Sequence, residues 1–217
     1  MTYFNRNLKD YKYSLINKSS FPAVYSRTGE LYVHHPDLIT YEQSQEQYST
    51  GEMRKTDTVL DLGANIGAFS FRAAKIASKV FAFEPITFNA LYQNIKLNKL
   101  EGKVIPINEA LGNGDVIPIK WFGEEHILKT KTISQILKEL YYIHHAKIDF
   151  MKCDTEGAEW YIEPRELKDI RRIEMEFHLN NSRANEGIIE EYKQYFDMTP
   201  KKPLGKTIWY TGINKYV

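Results

Sequence analysis

Thr58 to Ser70 reads Thr-Val-Leu-Asp-Leu-Gly-Ala-Asn-Ile-Gly-Ala-Phe-Ser. An apolar, β-branched run enters a polar turn with two glycines, and a helical pattern follows at once. Strand, tight turn and helix in that order build a nucleotide-type cofactor site. Gly63 and Gly67 lack a Cβ, so the chain turns sharply there and a ligand approaches the backbone closely. The helix starting near Gly67 offers unpaired N–H groups. Glu84 closes a second apolar run, Val80-Phe81-Ala82-Phe83, twenty-one residues after Gly63. An acid at that distance accepts hydrogen bonds from both hydroxyls of a ribose.

Two cofactor classes use such geometry. A dinucleotide needs its pyrophosphate on the helix N-terminus, usually through Gly-x-Gly-x-x-Gly. The loop Gly63-Ala64-Asn65-Ile66-Gly67 has no third glycine, and an acid, Asp61, precedes it. That acid repels pyrophosphate but suits the ammonium of an amino acid. S-adenosyl-L-methionine carries an ammonium, a carboxylate and a ribose without phosphate, and is the preferred reading.

A second set of acids closes a later apolar run: Lys152-Cys153-Asp154-Thr155-Glu156-Gly157-Ala158-Glu159. In an open parallel sheet, ligands bind beyond the carboxyl ends of the strands, where strand order reverses. Asp154 is expected there, beside the reactive end of the cofactor. Asp154 and Glu156 suit proton acceptance or oxygen coordination of a cation. Glu159 reads as an acid that decorates a helix N-terminus. Glu174-Met175-Glu176-Phe177-His178 ends the next strand, and His178 is a candidate general base near neutral pH. His34-His35 and His144-His145 read as surface residues.

Strands and helices alternate from Val59 onward. Strands are expected at 59–62, 80–83, 104–107, 148–153 and 170–177, with terminal strands at 206–210 and 213–217. Helices are expected at 68–78, 86–100, 133–143 (capped by Thr132 or Ser134), 158–167 and 184–196. Gly112-Asn113-Gly114-Asp115 is a turn signal that places a hairpin over 109–121. Strands joined through helices imply a parallel sheet with right-handed crossovers. The expected architecture is α/β: a doubly wound, mostly parallel Rossmann-like domain over 56–217. Residues 1–55 form a small extension, with a hairpin between 21 and 34 and a short helix and loop over 41–53. That extension is a candidate substrate lid. The tyrosines at 25, 32, 41 and 48 read as buried packing before a stacking lid.

The chain has 217 residues, 42% hydrophobic and 26% charged, with a formal net charge of +1. This is an ordinary globular composition with no global pull toward nucleic acid or anionic membrane. No run approaches the roughly 18 apolar residues of a membrane span. Cys153 is the sole cysteine, so no internal disulfide forms. A reducing, cytoplasmic setting is expected.

The chain resembles the FkbM-type S-adenosylmethionine-dependent methyltransferases. The matching pieces are Val59–Gly67, Phe83-Glu84-Pro85, Leu91 with Asn94-Ile95 and Asn98, Ala110-Leu111-Gly112, Lys131-Thr132-Ile133 and Asp154–Glu159. Cys153 stands where that family usually has an aliphatic residue. The resemblance implies a class I methyltransferase fold, with seven strands and the last antiparallel. It implies S-adenosyl-L-methionine as donor and a hydroxyl of a sugar or natural product as acceptor. The implied cofactor set is Asp61, Gly63, Ala64, Asn65 and Gly67 at the methionine end, and Glu84 with Pro85 at the ribose. Asn108, Glu109 and Ala110 lie against adenine, and Asp154 faces the sulfonium.

The chemistry expected is in-line displacement at the methyl carbon, with alignment supplying most of the rate. A hydroxyl acceptor needs a base, either Asp154 or His178. Glu156 orients that base or holds a divalent cation, magnesium by its preference for oxygen, though a metal-free site is favoured. The expected partner is a small hydroxyl-bearing acceptor. An RNA methyltransferase is the alternative, since Phe88–Asn98 also resembles tRNA methyltransferases. Against it, no Asn-Pro-Pro-Tyr-like segment follows strand four, and the acid-rich loop repels phosphate. Lys201-Lys202 with Lys206, and Arg171-Arg172, are candidate basic patches for it. A non-catalytic cofactor-binding scaffold is the third reading; Asp154 and its neighbouring acids favour an enzyme.

Overall fold

The computed structural model describes residues 23–25, 31–33, 48–121, 123–201 and 206–217. Strands Ala23–Tyr25 (β1) and Leu31–Val33 (β2) pair antiparallel, as the expected hairpin requires. The expected turn at 27–30 and most of the segment 41–53 lie outside the described residues. From Tyr48 to Met53 the chain makes bends and turns with no helix.

The main sheet has seven strands. They are β3 (Thr58–Leu62), β4 (Lys79–Phe83), β5 (Val104–Ile107), β9 (Phe150–Cys153), β10 (Arg172–His178), β11 (Phe196–Pro200) and β12 (Thr207–Asn214). Their order is β5-β4-β3-β9-β10-β12-β11. β12 is antiparallel to both neighbours, and the other pairings are parallel. Order reverses between β3 and β9, so their carboxyl ends open a crevice. This is the class I methyltransferase fold that the sequence implies.

Side chains alternate across the strands and sort the core into two halves. Leu60, Leu62, Phe81, Phe83, Met151 and Cys153 pack on one face with Ile133, Ile136 and Leu140 of α3 (Ile133–His144) and Ile189 and Tyr192 of α4 (Glu186–Tyr195). Val59, Val80, Ala82 and Phe150 pack on the other face. They meet Phe69 and Phe71 of α1 (Ala68–Ala74) and Leu91 and Ile95 of α2 (Phe88–Leu97). Strands buried on both faces read as largely apolar runs, which is why β3, β4 and β9 stand out in the sequence, broken only by the paired Asp61 of β3 and Lys152 of β9 and by Lys79 at the start of β4.

Several elements differ from expectation. Gly112–Asp115 does not close a hairpin. It leads from β6 (Ala110–Leu111) into β7 (Val116–Trp121), and β7 pairs with β8 (Glu124–Lys131). Thr130 fixes this loop, since its hydroxyl donates to the Asp115 carbonyl at 2.8 Å and accepts from the Gly114 N–H at 3.1 Å. The expected helix 158–167 is two 3-10 turns, Ala158–Tyr161 and Pro164–Leu167. Pro164 disfavours helical backbone at the residue before it, and Glu163 is extended with ψ 131°. The two expected terminal strands are one, β12, and β11 was not anticipated. α3 starts at the Thr132 capping box as expected. Among the described residues, no helix is long and apolar enough to cross a membrane.

Candidate active site

The β3 loop is pinned from two sides. Gly63 has φ +73°, and a Cβ on it would lie 1.7 Å from the Asp154 carbonyl oxygen. Only glycine lets the loops after β3 and β9 touch. The Gly63 and Ala64 N–H groups donate to the Phe83 carbonyl at 3.0 and 2.9 Å. Asn65 follows at φ +50°. Glu84 ties the loops after β3 and β4 together: Oε2 accepts from the Asn65 N–H at 2.8 Å, and Oε1 from Ile86 and Thr87 at 2.7 and 2.9 Å. Oε2 keeps lone-pair capacity for a hydroxyl, whereas Oε1 already accepts two N–H groups.

Asp61 sits beneath the loop and is fully buried. Its Oδ2 accepts from Ser70 at 2.6 Å, and Oδ1 faces the Lys152 ammonium at 3.1 Å. Lys152 also donates to the Gly63 carbonyl at 2.6 Å. Asp61, expected at the cofactor ammonium, pairs with Lys152, a partner the sequence reading missed. α1, seven residues long and started by Gly67 at φ +105°, has no side-chain cap.

A cleft of about 420 Å³ opens between the loops after β3, β4, β5 and β9. Of the expected residues, Gly63, Asn65, Glu84, Pro85, Glu109, Ala110, Asp154 and Glu156 line it. Asp61, Ala64, Gly67, Asn108 and His178 do not. Asn108 is exposed to solvent, and Glu109 pairs with Lys131 at 2.7 Å. Leu111, Ile117, Ile119 and Leu128 add an apolar wall from the second sheet. On the opposite side stand Tyr161 and Arg183, whose guanidinium lies 4.9 Å from the tyrosine ring centroid. These were not singled out, because the register of β7 and β8 was misplaced and the loop at 183 carries no motif.

Beyond β9 and β10 the acids cluster around one imidazole. Glu159 is fully buried; Oε1 accepts from the His178 N–H at 2.8 Å and lies 3.0 Å from Nδ1. Its Oε2 accepts from Gly157 N–H at 2.8 Å and Thr155 Oγ1 at 3.2 Å. Glu159 lies in the first turn of the 3-10 helix Ala158–Tyr161, as expected, and also anchors that loop to β10. Burial pushes its carboxyl up, but the hydrogen bonds and charge of His178 outweigh this and hold it below the usual range. Nε2 of His178 faces Glu156 at 3.3 Å, Glu176 at 3.6 Å and Asp154 at 4.0 Å. Burial lowers the imidazole, yet the hydrogen bond and charge of Glu159, with Glu156 and Glu176, raise it to about 9. The surrounding carboxylates favour the protonated ring, which weighs against the general-base role expected for His178.

Burial, with the nearby charges of Asp154 and Glu176, raises the Glu156 carboxyl against the opposing pull of His178. The buried Tyr48 hydroxyl donates to Glu176 Oε2, and its ring meets Phe69 edge-on at 6.1 Å. Tyr48 thus packs in the core; the side chains of the other three tyrosines lie outside the described residues. His34-His35 do as well, while the His144 ring packs 5.1 Å from Phe81.

Sequence comparison speaks against the FkbM-type reading. Residues 41–145 match the TRM5/TYW2 methyltransferase domain. The tRNA (guanine(37)-N(1))-methyltransferase Trm5b of Methanocaldococcus jannaschii is 36% identical over 121 residues, covering 48% of this chain and 35% of that protein. The chain thus spans about a third of the length of this curated relative. Among solved structures, Trm5b from Pyrococcus abyssi superposes with a TM-score of 0.55 at 16% identity, over 90% of this chain and 56% of that one. The M. jannaschii tRNA m1G37 methyltransferase gives 0.52 at 17% identity, over 91% and 58%. The putative methyltransferase yhhF from Escherichia coli gives 0.54 at 13% identity, over 87% and 94%. These structures share the fold.

The TRM5/TYW2 match overturns the resemblance to FkbM-type enzymes. With it fall the sugar or natural-product hydroxyl as acceptor and the small molecule as partner. The reason is physical. Val59–Gly67 and Phe83-Glu84-Pro85 are what any class I cofactor site requires, so they do not separate families. The matched segment ends at residue 145, before the acidic loop that carried the FkbM assignment. That loop is also less repulsive than its composition suggests, because Glu159 is buried against His178. The expected basic patches are corrected too: Arg171 pairs with Asp57 at 2.5 Å, and Arg172 and Lys201 both pair with Glu174. Residues 202–205 lie outside the described residues.

Proposed function

We propose that this domain transfers the methyl group of S-adenosyl-L-methionine to N1 of a guanine in tRNA. The 36% identity over 121 residues to a tRNA (guanine(37)-N(1))-methyltransferase carries this reading. In the proposed pose, the cofactor ribose hydroxyls meet Glu84, and adenine lies on Ala110 and Leu111 beside the apolar wall. The methionine end then rests on the Gly63–Asn65 loop, with the sulfonium near Asp154.

The acceptor chemistry fits the other side of the cleft. Guanine N1 carries a proton that must leave as the methyl arrives. Glu156 is the proposed proton acceptor: it lines the cleft, and its raised carboxyl is better matched to a weak N–H acid than an ordinary glutamate. A base inside RNA has to leave its stack to reach a cleft of this depth. Tyr161 and Arg183 offer the aromatic face and guanidinium plane on which unstacked bases rest. In-line alignment of N1, methyl carbon and sulfur supplies most of the acceleration.

The test is transfer of a labelled methyl from S-adenosylmethionine to tRNA transcripts, followed by nucleoside analysis. Label in 1-methylguanosine supports the proposal. A protein that binds the cofactor and labels no guanosine contradicts it.

A further inference from the structure

Four electron-pair donors face one another beyond β9 and β10. They are His178 Nε2, Asp154 Oδ1, Glu156 Oε2 and Glu176 Oε1, each oxygen within 4.0 Å of the nitrogen. Glu159 Oε1 lies 3.0 Å from Nδ1 and accepts its hydrogen. In the neutral ring this leaves Nε2 bare and aimed at the carboxylates. Such a group of lone pairs needs a cation at its centre, either a proton on Nε2 or a metal ion. Lys152 is the nearest fixed cation, but it sits to one side, 4.0 Å from Asp154 Oδ2.

We propose that Asp154, Glu176 and His178 bind a divalent metal ion. One ligand atom from each lies within 4.8 Å of the others. Bonds of about 2.1 Å to a common ion place ligand atoms about 3.4 to 4.2 Å apart, so closure asks for about an ångström of movement. Two of the ligands are buried and oriented from behind. His178 is 7% exposed and held at Nδ1 by Glu159; Glu176 is 8% exposed and held at Oε2 by the Tyr48 hydroxyl. A carboxylate behind a metal-binding histidine fixes the tautomer and raises ligand basicity. Glu156, 3.3 Å from His178 Nε2, lies outside the triad and lines the cleft.

One imidazole with two carboxylates suits Mn²⁺ or Zn²⁺ better than Mg²⁺, which favours oxygen. The magnesium expectation from the acids alone is revised because histidine joins the set. Three protein ligands leave coordination positions open toward the cleft. A heteroatom of the acceptor bound there would lose its proton more readily.

The experiment is a Mn²⁺ titration of the full chain after chelator treatment, read by loss of the free-ion electron paramagnetic resonance signal. Zn²⁺ calorimetry runs in parallel. It needs no methyl acceptor, so its outcome is separate from the guanine reading. The expected result is one ion per chain with a dissociation constant on the order of 10 µM. His178→Gln and Glu176→Gln weaken binding at least tenfold, and Glu159→Gln weakens it about tenfold through the tautomer. Exposed Glu190→Gln leaves it unchanged. Circular dichroism without metal confirms folding; Asp154→Asn, at the more exposed position, substitutes for any buried variant that fails to fold. Absence of binding by folded protein at about 1 mM Mn²⁺ and Zn²⁺ overturns the proposal. So does binding that all the ligand variants retain.

Discussion

The Glu159 carboxylate holds His178 twice, through the backbone N–H at 2.8 Å and through Nδ1 at 3.0 Å. This contact ties the loop after β9 to the end of β10 and sets the direction of Nε2. Glu159→Ala removes a fully buried charge from its partner and strands the N–H groups of Gly157 and His178. A stability loss of about 3 kcal/mol in urea denaturation is expected. A loss under about 0.5 kcal/mol would show that the contact is incidental.

Lys152 and Asp61 neutralise each other under the cofactor loop. Lys152→Met leaves a buried carboxylate unpaired, and a loss of about 3 to 5 kcal/mol is expected. Adding Asp61→Asn removes the stranded charge and should recover about half of it, a coupling that a double-mutant cycle measures. Additive losses would contradict the pairing.

Gly63 and Gly102 share a positive φ, +73° and +79°, but differ in surroundings. A Cβ at 102 meets nothing within 4 Å, whereas at 63 it runs into the Asp154 backbone. Gly102→Ala should cost about 1 kcal/mol of backbone strain. Gly63→Ala should cost about 3 kcal/mol or more and weaken S-adenosylmethionine binding at least tenfold in calorimetry. Equal effects of the two would mean that the loops do not touch.

The buried Cys153 thiol is pushed well above its ordinary value of 9.0, first by burial and then by the Glu159 charge. The folded state keeps this proton while the unfolded state loses it above pH 9, so the unfolded state binds fewer protons there. Stability therefore falls as pH rises past 9, by up to about 1.4 kcal/mol per pH unit from this group. Cys153→Ala should show a shallower decline in denaturation measured from pH 8 to 10.5. The native thiol should also resist alkylation until the protein unfolds. Rapid native labelling would contradict its burial.

The central strands were legible because both their faces are buried, which leaves an unbroken apolar run at Val80–Phe83 and one broken only by Asp61 at Val59–Leu62. β11 and the far half of β12 lie toward the sheet edge, where Asp197 and Lys201 interrupt the pattern. The β7–β8 pairing was displaced because Gly112–Asp115 carries the strongest turn signal yet folds around Thr130. In the site, Gly63 and Glu84 could be placed from spacing alone. Asp61 and His178 were given roles without their partners, since Lys152 and Glu159 meet them only through the fold. The acceptor was misjudged because the recognisable pieces lie in the loops that any class I cofactor site requires, while Tyr161 and Arg183, also lining the cleft, follow no spacing rule.

The most direct measurement is methyl transfer to a pair of tRNA transcripts that differ only in guanosine or adenosine at position 37. The expected result is 1-methylguanosine in the first, none in the second, and at least a hundredfold loss of kcat with Glu156→Gln. Cofactor binding with no methylation of either transcript would contradict it.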